Sequence, residues 1–134
     1  MWLSSMKKLV IILSLFLIGC TSNNGKSLGI SESTISCINP TVGQYTYGKD
    51  FDSSNCESVI AFLTKVTNTE VENRVKMVWF YNEEVILTKE EVVMGSGYAN
   101  SSLIEPENGY LKGSYRIKVY LNDNYVESFD FSFK

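Results

Sequence analysis

The chain has 134 residues, with twelve basic and fifteen acidic side chains and no histidine. That length suits a single domain with one core. An acidic chain without a basic stripe is a poor partner for nucleic acid. The lack of histidine removes the commonest general base and the commonest transition-metal ligand.

Lys7 and Lys8 precede an almost unbroken run of Leu, Ile, Val and Phe from Leu9 to Ile18, closed by Gly19 and Cys20. A run of about ten residues is half of what a helix needs to cross a bilayer, so it reads as a leader. The alternative is a short buried core helix that ends in Gly-Cys. Leu17-Ile18-Gly19-Cys20 resembles a bacterial lipobox, where a prolipoprotein is lipidated on cysteine and cut just before it. The resemblance implies a signal peptide over residues 1–19, acyl chains on Cys20 and a membrane partner reached through that lipid. Each buried CH₂ contributes about 0.8 kcal/mol, and several chains hold far better than one. Thr21 stands where inner-membrane lipoproteins of enteric-type bacteria carry Asp, which favours an outer-membrane location; a Gram-positive plasma membrane is the alternative. Met6, which opens Met-Lys-Lys, is a second candidate start.

Cleavage before Cys20 would remove Lys7 and Lys8, leaving ten basic and fifteen acidic side chains and a net charge of −5. Residues 20–36, rich in Ser, Thr, Asn and Gly, are expected to form the lipidated cysteine and a flexible tether about 20–25 Å long. The domain proper is expected over residues 37–134. Cys37 and Cys56 are the pair that remains once Cys20 is lipidated, and in an exported chain an even pair reads as a disulfide. Chain-entropy estimates give about 3 kcal/mol for a loop of that length. Two free thiols are the alternative.

Asn39-Pro40, Gly43, Gly48 and the polar run Asp50 to Asn55 make the first part of the domain turn-rich, with a short edge strand over Val42 to Tyr47. Ser58 to Thr67 is apolar on both faces, as a central strand would be. Arg74 to Tyr81 alternates, with Val75, Met77, Trp79 and Tyr81 on one side. Val85 to Met94 and Tyr98 to Ile104 are further strands separated by Gly95-Ser96-Gly97. Ser114 to Leu121 alternates again, Asn122-Asp123-Asn124 supplies hairpin chemistry, and Phe129, Phe131 and Phe133 alternate with Ser128, Asp130 and Ser132. Six or seven short strands at such spacing predict an all-β fold, an antiparallel β-sandwich.

The stretch from Pro106 to Tyr120, followed by the Phe-x-Phe strand, resembles the last hairpin of an immunoglobulin-like domain. The resemblance covers roughly residues 57–134. It implies about seven strands, Tyr115 as a corner tyrosine and Trp79 as the core aromatic of a central strand. Cys37 and Cys56 both lie too early in the chain to make the inter-sheet bridge of antibody domains. Such a resemblance speaks for fold and carries no ligand with it.

No catalytic constellation is present, and no cofactor or metal set is expected. Phe80, Tyr98, Tyr110 and Tyr120 are the candidate binding aromatics, for a glycan or a protein, with ordinary core packing as the alternative. Asp50 to Asn55 has oxygen ligands at spacings like those of a calcium loop but lacks its central glycine and downstream Glu; a polar surface turn is the plainer account. Glu83-Glu84 and Glu90-Glu91 are adjacent in strands and should point to opposite faces, a poor geometry for an acid/base dyad. Gly95-Ser96-Gly97-Tyr98 resembles the Ser-Gly-rich loop with which periplasmic lysozyme inhibitors plug a cleft, and Ser96 has no base to make it a nucleophile. The expected function is a non-catalytic protein-binding or accessory subunit of an envelope assembly, in secretion, pilus or outer-membrane machinery. The alternatives are a surface adhesin for glycan or host protein, and an inhibitor of a cell-wall hydrolase.

Overall fold

A computed structural model describes residues 29–67 and 70–134. The leader, Cys20 and most of the expected tether lie outside the described residues. Nine strands form two sheets: β1 Ile30–Asn39, β2 Gln44–Tyr47, β3 Asp50–Phe51, β4 Val59–Val66, β5 Glu72–Tyr81, β6 Glu84–Met94, β7 Gly97–Ile104, β8 Gly113–Leu121 and β9 Asn124–Phe133. The four-stranded sheet runs β2-β1-β4-β7, and the five-stranded sheet runs β3-β9-β8-β5-β6. Every pairing is antiparallel except the short one between β3 and β9.

The chain changes sheet after β2, β3, β4, β6 and β7, and closes with the β8–β9 hairpin beside β5. From β4 onward this connectivity is immunoglobulin-like, and two of that fold's side-chain hallmarks are in place. Trp79 on central strand β5 is fully buried. Tyr115, at the start of β8, donates its hydroxyl to the carbonyl of Leu111, four residues upstream, at 2.5 Å.

Two expectations need correction. Strands number nine rather than about seven because β1 and the two-residue β3 add to the expected set, which already held the edge strand at Val42 to Tyr47. The tether does not extend to residue 36: Ile30 to Ile38 pair with β4, and Ser33 shares a 2.8 Å hydroxyl contact with buried Thr64. Polar composition masked this strand. Its inner face carries Ile35 and Cys37, while Ser31, Ser33, Thr34 and Ser36 make up much of the rest. Among the described residues the domain therefore opens with β1 at Ile30 rather than at residue 37.

The core lies between the sheets. Phe131 stacks on Tyr115 at 4.9 Å between ring centres and meets Trp79 edge-on at 5.9 Å and Phe51 edge-on at 6.0 Å. Such geometries add to the area these rings bury. Cys37 and Cys56 form a buried disulfide that ties β1 to the loop before β4. Fully buried Asn73 donates its amide to the carbonyls of Glu70 and Gly95 at 3.2 and 2.9 Å, fixing the turns at one end of the sandwich.

Both tight hairpins turn through two residues of positive φ: Asn82 and Glu83 at 47° and 73°, Asn122 and Asp123 at 51° and 71°. These are the angles that match the twist of the flanking strands, and Asn-Gly serves them best. Glu83 carries a Cβ in a conformation that costs most residues about 1 kcal/mol or more. Replacing Glu83 with Gly is expected to raise the thermal midpoint by about 2–5 °C, read by thermal unfolding. An unchanged or lower midpoint would contradict a strained turn.

Candidate functional site

Strand alternation gives each sheet one inner and one outer face, and the two outer faces differ in chemistry. On the five-stranded sheet, β5 presents Arg74, Lys76, Val78 and Phe80, and β8 presents Ser114, Arg116, Lys118 and Tyr120. These side chains satisfy one another. Lys118 sits 5.1 Å from the centre of the Phe80 ring, and Lys76 sits 5.0 Å from that of Tyr120. Arg116 makes two hydrogen bonds to Asp130, and Arg74 makes two to Asp123. The bonded guanidinium holds each of these carboxyls below the usual carboxylate range, Arg116 acting on Asp130 and Arg74 on Asp123.

An open groove of about 910 Å³ crosses this face near the Asn82-Glu83 turn, lined among others by Phe80, Arg116, Lys118 and Asp130. Its three basic groups (Lys49, Arg116, Lys118) are matched by three acidic ones (Asp50, Glu83, Asp130). It therefore offers no net attraction to a charged ligand.

The four-stranded sheet is different. Ile60, Phe62 and Thr64 point inward and are fully buried, so Val59, Ala61, Leu63 and Lys65 form the outer side of β4. The register then fixes their neighbours. One row across all four strands reads Tyr45, Ile38, Val59, Ile104. The next reads Tyr47, Ser36, Ala61, Ser102, and a third Thr34, Leu63, Asn100. None of these eleven positions carries a charge. Lys65 and Glu32 are confined to the last row, where the Lys65 ammonium lies 6.0 Å from the centre of the Tyr98 ring.

Several of these side chains stand clear of the sheet: Ile104 is 73% exposed, Tyr47 66%, Tyr45 58% and Tyr98 53%. The Tyr45 and Tyr47 rings lie 6.4 Å apart and nearly parallel, at 14°. With strands about 4.8 Å apart, the three uncharged rows cover roughly 400 Å², the scale of the largest patches on ordinary monomers, which are often functional.

The four aromatics expected to form a platform do not come together. Phe80 and Tyr120 are half-buried under lysines on the charged face. Tyr98 is exposed on the opposite face, beside the uncharged rows. Tyr110 is a correction: it is buried against Phe133, with ring centres 5.1 Å apart. Its hydroxyl accepts the Ile60 N–H at 3.2 Å and lies within donating distance of the carbonyls of Leu103 and Ser58. It thus stands in for a rung of the ladder between β4 and β7. Tyr45 and Tyr47 fall outside the expected set, although their Tyr-Thr-Tyr spacing in an edge strand places both rings on one face.

The remaining candidates resolve into local structure. Asp52 Oδ1 accepts the Ser54 hydroxyl and the N–H groups of Ser54 and Asn55, and Asn55 Oδ1 accepts the Asp52 N–H. The oxygens of this loop thus serve its own turn. The Ser54 hydrogen bonds, with help from Asn55, lower the Asp52 carboxyl below its ordinary range. Glu90 and Glu91 do diverge: Glu90 lies across from Lys76, while Glu91 turns inward and accepts the Asn100 N–H. Gly95-Ser96 is a two-residue link held at both backbone ends, with Gly95 N–H donated to Val71 and its carbonyl accepting from Asn73. No protein-family model matches the chain, and comparison with curated proteins finds no match.

Burial raises the Tyr110 phenol well above its ordinary value and pushes Tyr115 up to about 12. A raised phenol favours the protonated form in the folded state. Its contribution is complete below the unfolded value near 10 and is lost as pH rises through the folded one. Stability should therefore fall from about pH 10 upward. At neutral pH, Tyr110→Phe leaves the Ile60 N–H without its acceptor and should cost about 1–3 kcal/mol, read by denaturant unfolding. A loss under a few tenths of a kcal/mol would contradict the bridging role.

Proposed function

We propose that this protein is a lipid-anchored envelope protein, held through Cys20, whose sandwich binds another envelope protein without catalysis. The observation that carries this reading is the uncharged outer face of the four-stranded sheet. Aliphatic and aromatic side chains are mixed there on a flat surface, with small Ser36, Ala61 and Ser102 between them. Protein interfaces concentrate aromatics and exclude charge at their centre in this way, and an area near 400 Å² fits a transient or accessory contact better than an obligate one. Lack of histidine and divergence of the adjacent carboxylates favour binding over chemistry. The anchor rests on the lipobox resemblance and accords with a domain whose acidity gives it no affinity for anionic lipid heads.

A second reading, a glycan-binding adhesin, draws on Tyr45 and Tyr47. Two nearly parallel exposed rings are a platform on which sugars can stack. Exposed Ile104 and Leu63 are of less use to a sugar, which places this reading second.

The test is position-specific photocrosslinking in the native envelope, with the crosslinker at Tyr47, at Ile104, or at Lys118 on the opposite face. One protein adduct of the same size from Tyr47 and Ile104, and none from Lys118, is the expected result. Equal adducts from both faces, or adducts to glycan alone, would contradict a protein-binding face. The anchor is read separately: Cys20→Ser should leave the chain uncleaved and unlipidated, and unchanged processing would remove the anchor from the account.

A further inference from the structure

Each sheet has two edges, and the four differ in what they offer a new strand. β2 has four residues and β3 two. β7 is blocked at its middle, because its outward Asn100 N–H is taken by Glu91 at 3.1 Å and its carbonyl by Lys89 at 2.8 Å. β6 is eleven residues long, and among the described residues only β5 pairs with it. Val85, Ile86, Val92 and Met94 are exposed along it. A long edge with apolar side chains is a template for another strand.

We propose that β6 pairs with β6 of a second copy of this chain, antiparallel about a two-fold axis at Glu90, joining the two five-stranded sheets into one. The sequence of β6 is self-complementary about that residue. With the axis at Glu90, Lys89 faces Glu91 of the second copy, Leu87 faces Val93, and Thr88 faces Val92. Two-fold symmetry makes each contact occur twice. Moving the axis to Lys89 sets lysine against lysine and Leu87 against Glu91. Moving it to Glu91 sets glutamate against glutamate and Lys89 against Val93. One register therefore matches charge to charge and apolar to apolar. Its single like-charge contact is Glu90 with itself. Each Glu90 already has Lys76 directly across on β5, so the row runs Lys76, Glu90, Glu90, Lys76.

Lys89 and Glu91 lie 3.8 Å apart within one chain, at the lip between the sheets. In the pair, each would gain an opposite charge from the second copy while still close to its own Asn100. A contact of one strand pair is small beside a standard interface, so the pairing is weak for free copies. Confinement to a membrane surface would raise the local concentration and favour it. That last point rests on the anchor reading; the register does not.

The experiment is disulfide crosslinking of the full chain in its membrane under mild oxidation, read on non-reducing gels. Glu90→Cys places two thiols opposite each other across the axis, within the Cα separation a disulfide accepts. In Thr88→Cys the two thiols are about 14 Å apart and cannot join. At least tenfold more dimer from Glu90→Cys than from Thr88→Cys is expected. Adding Lys89→Glu to Glu90→Cys should cut the yield several-fold, and adding Glu91→Lys to both should restore it. Equal yields at positions 88 and 90, no dimer at either, or no restoration by the charge swap would overturn the pairing. A dimer in the unsubstituted chain would instead reveal an unmodified Cys20, striking at the anchor and leaving the difference between positions 90 and 88 to decide the register.

Discussion

The two sheets meet on the buried hydrogen bond from Trp79 Nε1 to Ser101 Oγ, 2.9 Å long, with both residues almost wholly out of water. A buried indole N–H without an acceptor would cost about 1–3 kcal/mol, so the bond fixes where β5 lies over β7. Phe131 and Tyr115 then pack against the indole and against each other. Once that contact is set, alternation decides which side chains face out on every strand.

The result is a sandwich with two dissimilar outer faces. On the five-stranded sheet, cations lie over aromatic rings and guanidinium groups clasp carboxylates, so its charges are largely spent within the surface. Exposed pairs of this kind contribute little to stability. They do leave a face that water solvates well. The four-stranded sheet has no such cover over three of its rows. On the proposed reading, a binding role accounts for the exposure of Ile104 and Tyr47. The β6 edge, at the far side of the charged sheet, is a separate surface; pairing there would set two uncharged faces in one assembly.

Most strands were legible because Trp79, Ile117 and Phe131 stand in runs that alternate strictly, with the hairpin residues between them. Legibility failed where polar residues do structural work. β1 hides because its Ser33 pairs with buried Thr64 and Ser36 sits under its neighbours, so a strand reads as a tether. Tyr110 has the local setting of a surface aromatic after a glycine turn, yet it bridges β4 and β7 through its hydroxyl, a long-range partnership that no local pattern signals. The uncharged face was invisible for the same reason. Its rows draw one residue from each of four strands, and only the register brings Tyr45, Ile38, Val59 and Ile104 into line.

The most direct test of the account is tyrosine footprinting, comparing the protein in its native envelope with the same protein purified in detergent. Tyr45 and Tyr47 report on the uncharged face, and Tyr125, 53% exposed on the five-stranded sheet, serves as the internal reference. Masking of Tyr45 and Tyr47 in the envelope, with Tyr125 labelled equally in both states, is the predicted result. Equal labelling of all three in both states would contradict a contact through the four-stranded sheet.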